Sequence, residues 1–437
     1  MPRRRRHPPL HVLLNNRHVG QLQKAVDGAI SFTYEQNWLD WDHALPVSLS
    51  LPLREDPYRG APVAAVFDNL LPDAEPLRRR VAERVGAEGT DAYSLLSAIG
   101  HDCVGALQFV GPDAPAPGDT TQISGQVIDE DDIGRLLRGL AQAPLGLDRD
   151  EAFRISIAGA QEKTALLRHE GRWLKPHGTT PTSHILKPQI GQLPNSIDLS
   201  NSVENEYYCL KLAAAFGLPV NRAEIHTFGP TQALVVERFD RHWTHDGRLL
   251  RLPQEDCCQA LSVPPTCKYQ TEGGPGIVQL LELLNGSDTP AEDQATVFKA
   301  QIFFWLIGAT DGHAKNFSLF LRPQGAFRLT PLYDILTVQP SLAGRQIERK
   351  QMKLAMAVGR GNRYRIHEIQ GRHFLQTGAA ARLPRTLATN VIEDIVTRAD
   401  NAITQVESAL PPDFPPAIHE SVKAAIAGRL GVLQRAG

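Results

Sequence analysis

The hydrophobic pattern changes character twice along the 437 residues. In the first stretch, residues 10–14 read as a strand, Asn15-Asn16 as a turn and residues 19–22 as the partner strand of a hairpin. Residues 30–34 mix β-branched and aromatic positions and read as another strand, and 47–53 alternate before ending in prolines. From Pro62 the spacing turns helical through Val66, Phe67, Leu70 and Leu71, and residues 76–85 continue it. Leu95, Leu96 and Ile99 lead into Gly100, after which 104–110 return to strand. This region is α+β. Residues 111–119, rich in Pro and Gly, read as a loop or linker. A short helix follows over 131–140, with acids at 129–132 where the helix dipole favours them.

From Phe153 the pattern is different. Residues 154–157 are strand-like, Ala158, Gly159, Ala160, Gln161, Glu162 and Lys163 form a tight turn, and 164–168 are a second strand. Such a turn can lay backbone N–H groups over an anion, and a plain hairpin would use the same residues. Residues 184–187 are a short apolar strand ending in Lys187, which either snorkels at an edge or meets a negative charge. Asn201 or Ser202 caps a helix over 203–216, stopped by Gly217 and Pro219. Val203, Tyr207, Leu210 and Ala214 fall at helical spacing and are read as its core face. Glu204 and Glu206 lie in its first turns, where they support the dipole or could meet Lys187. Residues 233–240 are a buried strand that runs straight into charge at Glu237, Arg238, Phe239 and Asp240. A connector there could offer its backbone to an adenine edge. Residues 251–259 and 269–276 are polar or Gly-rich. Beyond them the pattern is helical over 277–284, 294–307, 386–410 and 416–433.

Candidate chemistry sits where the apolar run 302–307 ends in Ala309-Thr310-Asp311-Gly312-His313-Ala314-Lys315-Asn316. Asp311 and Asn316 stand five residues apart, and Asp334 follows after a strand expected at 327–329. Phosphoryl transfer needs a carboxylate to orient or deprotonate a hydroxyl, and an amide and a second carboxylate to hold Mg²⁺ against phosphates. Taken alone, Asp-Gly is also a common turn, and Asn316 a common cap or turn residue.

Composition narrows this only a little. It is that of an ordinary globular chain with a net charge of -2, so nothing attracts the whole molecule to nucleic acid or an anionic membrane. Arg3 to Arg6 are a local exception, read as a basic tail or as an arm contacting phosphates. Five cysteines, an odd count without zinc spacing, point to free thiols in a reducing compartment. Neither a signal core nor a bilayer-length apolar run is visible, so a cytoplasmic protein without membrane contact is expected.

The order of parts is then informative: small-residue turn, strand lysine, helix with early glutamates, connector strand, Asp-x4-Asn and second Asp. Protein kinases carry their parts in that order, although the H-R-D, D-F-G, A-P-E and GxGxxG signatures are missing. The chain closely resembles the HipA serine/threonine kinases, toxins of type II toxin–antitoxin pairs. The resemblance rests on residues 67–73 (Phe-Asp-Asn-Leu-Leu-Pro-Asp), 154–164, 202–207 (Ser-Val-Glu-Asn-Glu-Tyr), 236–241, 251–256 (Arg-Leu-Pro-Gln-Glu-Asp) and 308–317, and covers nearly the whole chain.

That resemblance implies an α+β, divergent protein-kinase-like fold of two lobes, with an α/β N-terminal region, an all-helical C-terminal lobe, and ATP and Mg²⁺ between them. It places an antitoxin-contacting subdomain at 1–145, the kinase N-lobe at 146–240 and the C-lobe at 241–437. Asp311 becomes the catalytic base, and Asn316 and Asp334 the metal ligands. ATP is expected at residues 158–163, Lys187, Glu237, Arg238, Phe239, His313, Ala314, Lys315, Asn316, Tyr333 and Asp334. Ser156 matches the autophosphorylated serine, where an added phosphate would repel ATP and eject the loop. The implied partners are a HipB-like helix-turn-helix antitoxin, operator DNA reached through it, and glutamyl-tRNA synthetase as substrate, whose phosphorylation would halt translation. Bound to antitoxin and DNA, the protein would be nucleoid-associated. Two other readings use the same residues: a catalytically weak, antitoxin-bound corepressor, or transfer of AMP in place of phosphate.

Overall fold

The structure is a computed structural model that describes residues 7–113, 122–148, 153–159, 161–193 and 197–435. Arg3 to Arg6, Ala160 and most of the expected linker lie outside the described residues. The chain forms two compact units, each discontinuous in sequence. The first comprises residues 1–188, 226–266 and 319–327, and the second 189–225, 267–318 and 328–437.

The first unit opens with an antiparallel sheet in the order Tyr58–Arg59, Ile30–Tyr34, Arg17–Lys24, Leu10–Leu14, Leu107–Val110. The Asn15-Asn16 turn has positive φ at both residues, 47° and 66°, as a tight hairpin of this hand requires. Phe32, Phe67 and Phe109 pack edge to face or tilted beneath this sheet, and all three are fully buried. A second sheet carries five successive strands: Thr231–Glu237, His184–Pro188, Thr164–His169, Arg172–Pro176 and Gly125–Ile128. The helix Glu130–Arg138 covers it, putting Ile133 and Leu137 onto Leu166, Leu186 and Val235. A capping box between Asp129 and Asp132 starts that helix.

One expectation fails here. Residues 153–158 form no strand. Phe153, Ile155 and Ile157 are buried, which accounts for the alternation, but the Ser156 N–H donates to the Asp102 carbonyl (2.9 Å).

The second unit is built on the helix Pro290–Ile307, buried along nearly all of its last three turns. Arg385–Ala409 and Pro416–Gln434 pack against it, Ser202–Ala215 packs against those two helices, and Gly371–Ala380 meets it where Phe374 contacts Trp305. The unit is mostly helical, but its described residues include two antiparallel pairs, Gly191–Gln192 with Asp198–Leu199 and the hairpin Lys353–Val358 with Arg363–Arg365, neither of which the sequence pattern discloses. The second of these is fastened to the central helix. Gln301 and Trp305 anchor it by donating to the carbonyls of Met356 and Ile366, both at 3.0 Å. The core face expected for the 203–216 helix is also revised. Val203 and Leu210 are buried, but Ala214 is exposed and Tyr207 half-buried, while Asn205, Glu206, Tyr208 and Leu212 are buried. Among the described residues no helix is long and apolar enough to cross a membrane.

Candidate active site

The helix Pro290–Ile307 ends in a left-handed cap at Gly308 (φ 72°), whose N–H returns to the carbonyls of Phe304 and Trp305. The chain then folds back on the helix end. Gly312 lies so close to the Phe304 ring that a Cβ would stand 2.4 Å from it, so only glycine fits. This turn lifts Asp311 out of the core: its side chain is 56% exposed, while that of His313, 3.9 Å away at Nε2, is 3% exposed. The loop is tied internally. The His313 N–H donates to the Asp311 carbonyl (2.8 Å), the Asn316 N–H to the His313 carbonyl (2.9 Å), and the Asn316 side-chain amide to the Asp311 carbonyl (2.8 Å). The last bond commits the Asn316 nitrogen, so its amide oxygen is the atom suited to a cation. Ala314 and Lys315 are buried behind it.

Asp334 is held in the same unit from three sides. Leu332 bridges to Val220, exchanging backbone bonds of 2.8 Å with Pro219 and Asn221. The Tyr333 hydroxyl bonds the Ser318 hydroxyl (2.6 Å) and the Lys315 carbonyl (3.0 Å). Past Asp334, the Asn205 side chain clamps Thr337, donating to its carbonyl (2.8 Å) and accepting from its N–H (2.9 Å). Asp334 itself sits at φ 58°, a left-handed conformation unusual for a side-chain-bearing residue and held by these anchors. A carboxylate and an amide oxygen are hard donors that fit Mg²⁺, which takes few protein ligands and completes its shell with water and phosphate.

The nucleotide residues expected from the first unit also converge. Thr164, at the end of the 158–163 turn, pairs with Leu186, and Lys187 pairs with Leu234 on the strand that leads to Glu237. Lys187 is 6% exposed, on a central strand. Gln161 donates to the Pro188 carbonyl (3.3 Å), tying the turn to the lysine strand. Gly159 has φ 106°, and Lys163 donates across it to the Ala158 carbonyl (2.9 Å). Residues 67–73 brace the turn: Pro72 bridges to Gly159, and the Asp73 N–H donates to the Gly159 carbonyl (3.2 Å). Ser156 is fully buried, and its hydroxyl donates to the Leu70 carbonyl (2.8 Å).

In the connector, Glu237 is exposed, and Phe239 is half-buried against Phe320. The Arg238 side chain is turned into the interior of the first unit. It is sealed in an ionic cluster, giving two bonds to Asp240 (2.9 and 2.7 Å) and others to Thr182 and the Cys103 carbonyl. Asp102 is the hub of that cluster. Its carboxylate receives Arg241 and Arg251 (2.8 Å each), the Thr182 hydroxyl (2.7 Å) and the Thr182 N–H (3.0 Å), with Arg238 at 3.4 Å. Burial would raise the Asp102 pKa, but Arg241, Arg251 and Arg238 together hold it far below the carboxylate range. Sequence reading passed over Asp102. Its one signal is an acid, next to His101, set between the apolar residues Ile99 and Val104.

The strand lysine braced by a small-residue turn, and the Asp-x4-Asn loop with its fixed second aspartate, define a divergent protein-kinase-like fold of α+β class. The comparisons with known proteins agree. The HipA-like C-terminal domain model matches residues 155–403, and the HipA N-terminal domain model residues 10–110. Y4mE of Sinorhizobium fredii is 38% identical over 80% of this chain and 81% of its own length. The serine/threonine-protein kinase toxin HipA of Shewanella oneidensis is 27% identical over 92% of this chain and 90% of its own. Among solved structures, HipA in the S. oneidensis MR-1 complex of HipA, HipB and operator DNA superposes with a TM-score of 0.80 at 25% identity, covering 98% of this chain and 99% of that one. The chain belongs to the HipA family.

Proposed function

We propose that this chain is a Mg²⁺-ATP-dependent serine/threonine protein kinase and the toxin of a type II toxin–antitoxin pair. The observation that carries the reading is the loop 309–316, which presents an exposed Asp311 carboxylate beside an oriented Asn316 amide. Asp311 accepts the proton of a substrate hydroxyl as its oxygen attacks the γ-phosphorus and the bond to ADP breaks. Lys187 pairs with the phosphates, and residues 158–163 turn backbone N–H groups to them. Glu237, the main chain of Arg238 and Phe239 meet the adenine, and His313 and Tyr333 line the nucleotide. Asn316 and Asp334 would hold Mg²⁺, which would supply neutralisation of the charge on the phosphates.

The description of the S. oneidensis relative as a kinase toxin supports this activity, and its complex with HipB and operator DNA supports a DNA-binding antitoxin as partner, with operon corepression as the joint role. We carry over glutamyl-tRNA synthetase as substrate, and Ser156 as the autophosphorylation site. Because Ser156 is buried against Leu70, its phosphorylation requires residues 153–159 to leave that seat.

The test is incubation with γ-labelled ATP and Mg²⁺, alone and with glutamyl-tRNA synthetase, followed by phosphosite mapping. Label on Ser156 and on the synthetase is the expected result, and Asp311→Ala, folded, should carry none. Label on Ser156 alone keeps the kinase and discards the target. Transfer from α-labelled ATP instead would replace kinase chemistry with AMP transfer.

A further inference from the structure

Tyr269 stands over the loop that carries Asp311. Its hydroxyl donates to Asp311 Oδ1, and its ring meets the His313 ring edge to face, with centroids 5.0 Å apart at 85°. It therefore touches both the exposed carboxylate and the buried imidazole beside it. A tyrosine hydroxyl against an exposed acid has two readings. It could be a mobile plug in the place of a substrate hydroxyl, or a fixed support for the carboxylate.

The packing of Tyr269 decides between them. Its carbonyl accepts from the N–H groups of both Glu272 and Gly274, each at 3.0 Å. Next to it, the Gln270 side chain accepts from the Ala357 N–H (2.7 Å) on the strand Lys353–Val358. The turn that follows is closely packed. A Cβ on Gly274 would lie 2.0 Å from the Cys267 carbonyl oxygen, and one on Gly276 would lie 2.7 Å from the Gln270 side chain. A residue set this tightly is a platform, not a plug.

We propose that Tyr269 is a positioning residue: its hydroxyl fixes the plane of the Asp311 carboxylate and so the direction from which a hydroxyl is met. An exposed aspartate otherwise samples several rotamers, and a carboxylate misaligned by a fraction of an ångström loses much of its effect on proton transfer. Facing a carboxylate, which only accepts, the phenol O–H is the donor. The inference rests on the reading of Asp311 as the base.

The experiment measures initial rates of label transfer from γ-labelled ATP to the full-length protein, for wild type, Tyr269→Phe and Asp311→Asn. Phenylalanine keeps the ring against His313 and removes only the hydroxyl. The expected result is a fall of about tenfold in kcat, with KM for ATP and the unfolding midpoint unchanged. An unchanged kcat overturns the proposal. So does a rise in kcat, which would make the phenol a plug, or a fall accompanied by a lower midpoint, which would make it merely structural. If wild type transfers no label, or Asp311→Asn transfers as much, the base assignment fails instead. A dead Asp311→Asn beside an unaltered Tyr269→Phe discards only the role of Tyr269.

Discussion

Replacing Asp102 by Asn tests whether the buried ionic cluster is what holds the first unit together. The cluster contains three arginines, Arg238, Arg241 and Arg251, against two aspartates, Asp102 and Asp240, all with side chains at most 5% exposed. It therefore carries one net positive charge, and Asp102→Asn raises that to two while placing an NH2 group among donors. Removing one partner of a buried ion pair costs about 3–5 kcal/mol, because the remaining charge stays desolvated. For a cooperative unit of this size that amounts to roughly 10 °C in unfolding midpoint. Two units need not unfold together, so the probe must report on one of them. Tryptophan fluorescence does so, since Trp38, Trp41, Trp173 and Trp243 lie in the first unit and only Trp305 in the second.

The pH dependence has a definite sign. The folded pKa of Asp102 is depressed, so its contribution is complete above the ordinary carboxylate value, about 4, and is lost as pH falls further. Wild type should lose more stability than the variant between pH 5 and pH 3. Denaturant midpoints at both pH values check this. A change below about 1 kcal/mol at pH 7 would refute the reasoning, since that is the range of an exposed ion pair.

Three further outcomes follow from other parts of the molecule. Asn205→Ala leaves the Thr337 N–H and carbonyl without their partner, so it should cost about 2–4 kcal/mol and lower kcat through Asp334, read by denaturation and label transfer. Gly159→Ala meets both the φ of 106° and the Lys163 ammonium 2.6 Å from the new Cβ, so KM for ATP should rise; an unchanged KM would remove the 158–163 turn from the nucleotide site. Burial, opposed in part by the Leu49 N–H, pushes the Glu255 carboxyl up to about 8. The folded state then keeps a proton that the unfolded chain releases, so this group's contribution falls as pH rises from the ordinary carboxylate value towards 8. Glu255→Gln should match wild type near pH 5 and exceed its unfolding midpoint at pH 8, and parallel pH curves would count against a protonated Glu255.

What the sequence disclosed and what it hid divide along one line. Hairpin 10–22, the helix over 75–85 and the long helices from 277 onwards are set by turn residues and local periodicity, and they stand where the pattern puts them. The polar run 309–316 was legible for the same reason, since a buried helix that stops in Asp, Gly, His and Asn announces its exit from the core. Asp102 was not, because its three arginines lie 136 to 149 positions away, and neither was Tyr269, whose partner is 42 positions on. Pattern reading sees burial but not its cause. Alternation at 154–157 reports that Ile155 and Ile157 are buried, but in place of strand pairing the Ser156 N–H bonds the Asp102 carbonyl and its hydroxyl the Leu70 carbonyl. The helix Ser202–Ala215 shows the converse. Apolar spacing finds only part of its buried face, Val203 and Leu210, because Glu204, Asn205 and Glu206 are buried polar residues. Such residues are costly to bury without partners, and Asn205 spends both ends of its amide on Thr337, three residues past Asp334. A helix whose first turns bury acids and amides has been bent to the needs of the loop beside it, and in a sequence that inversion marks a helix that serves a site.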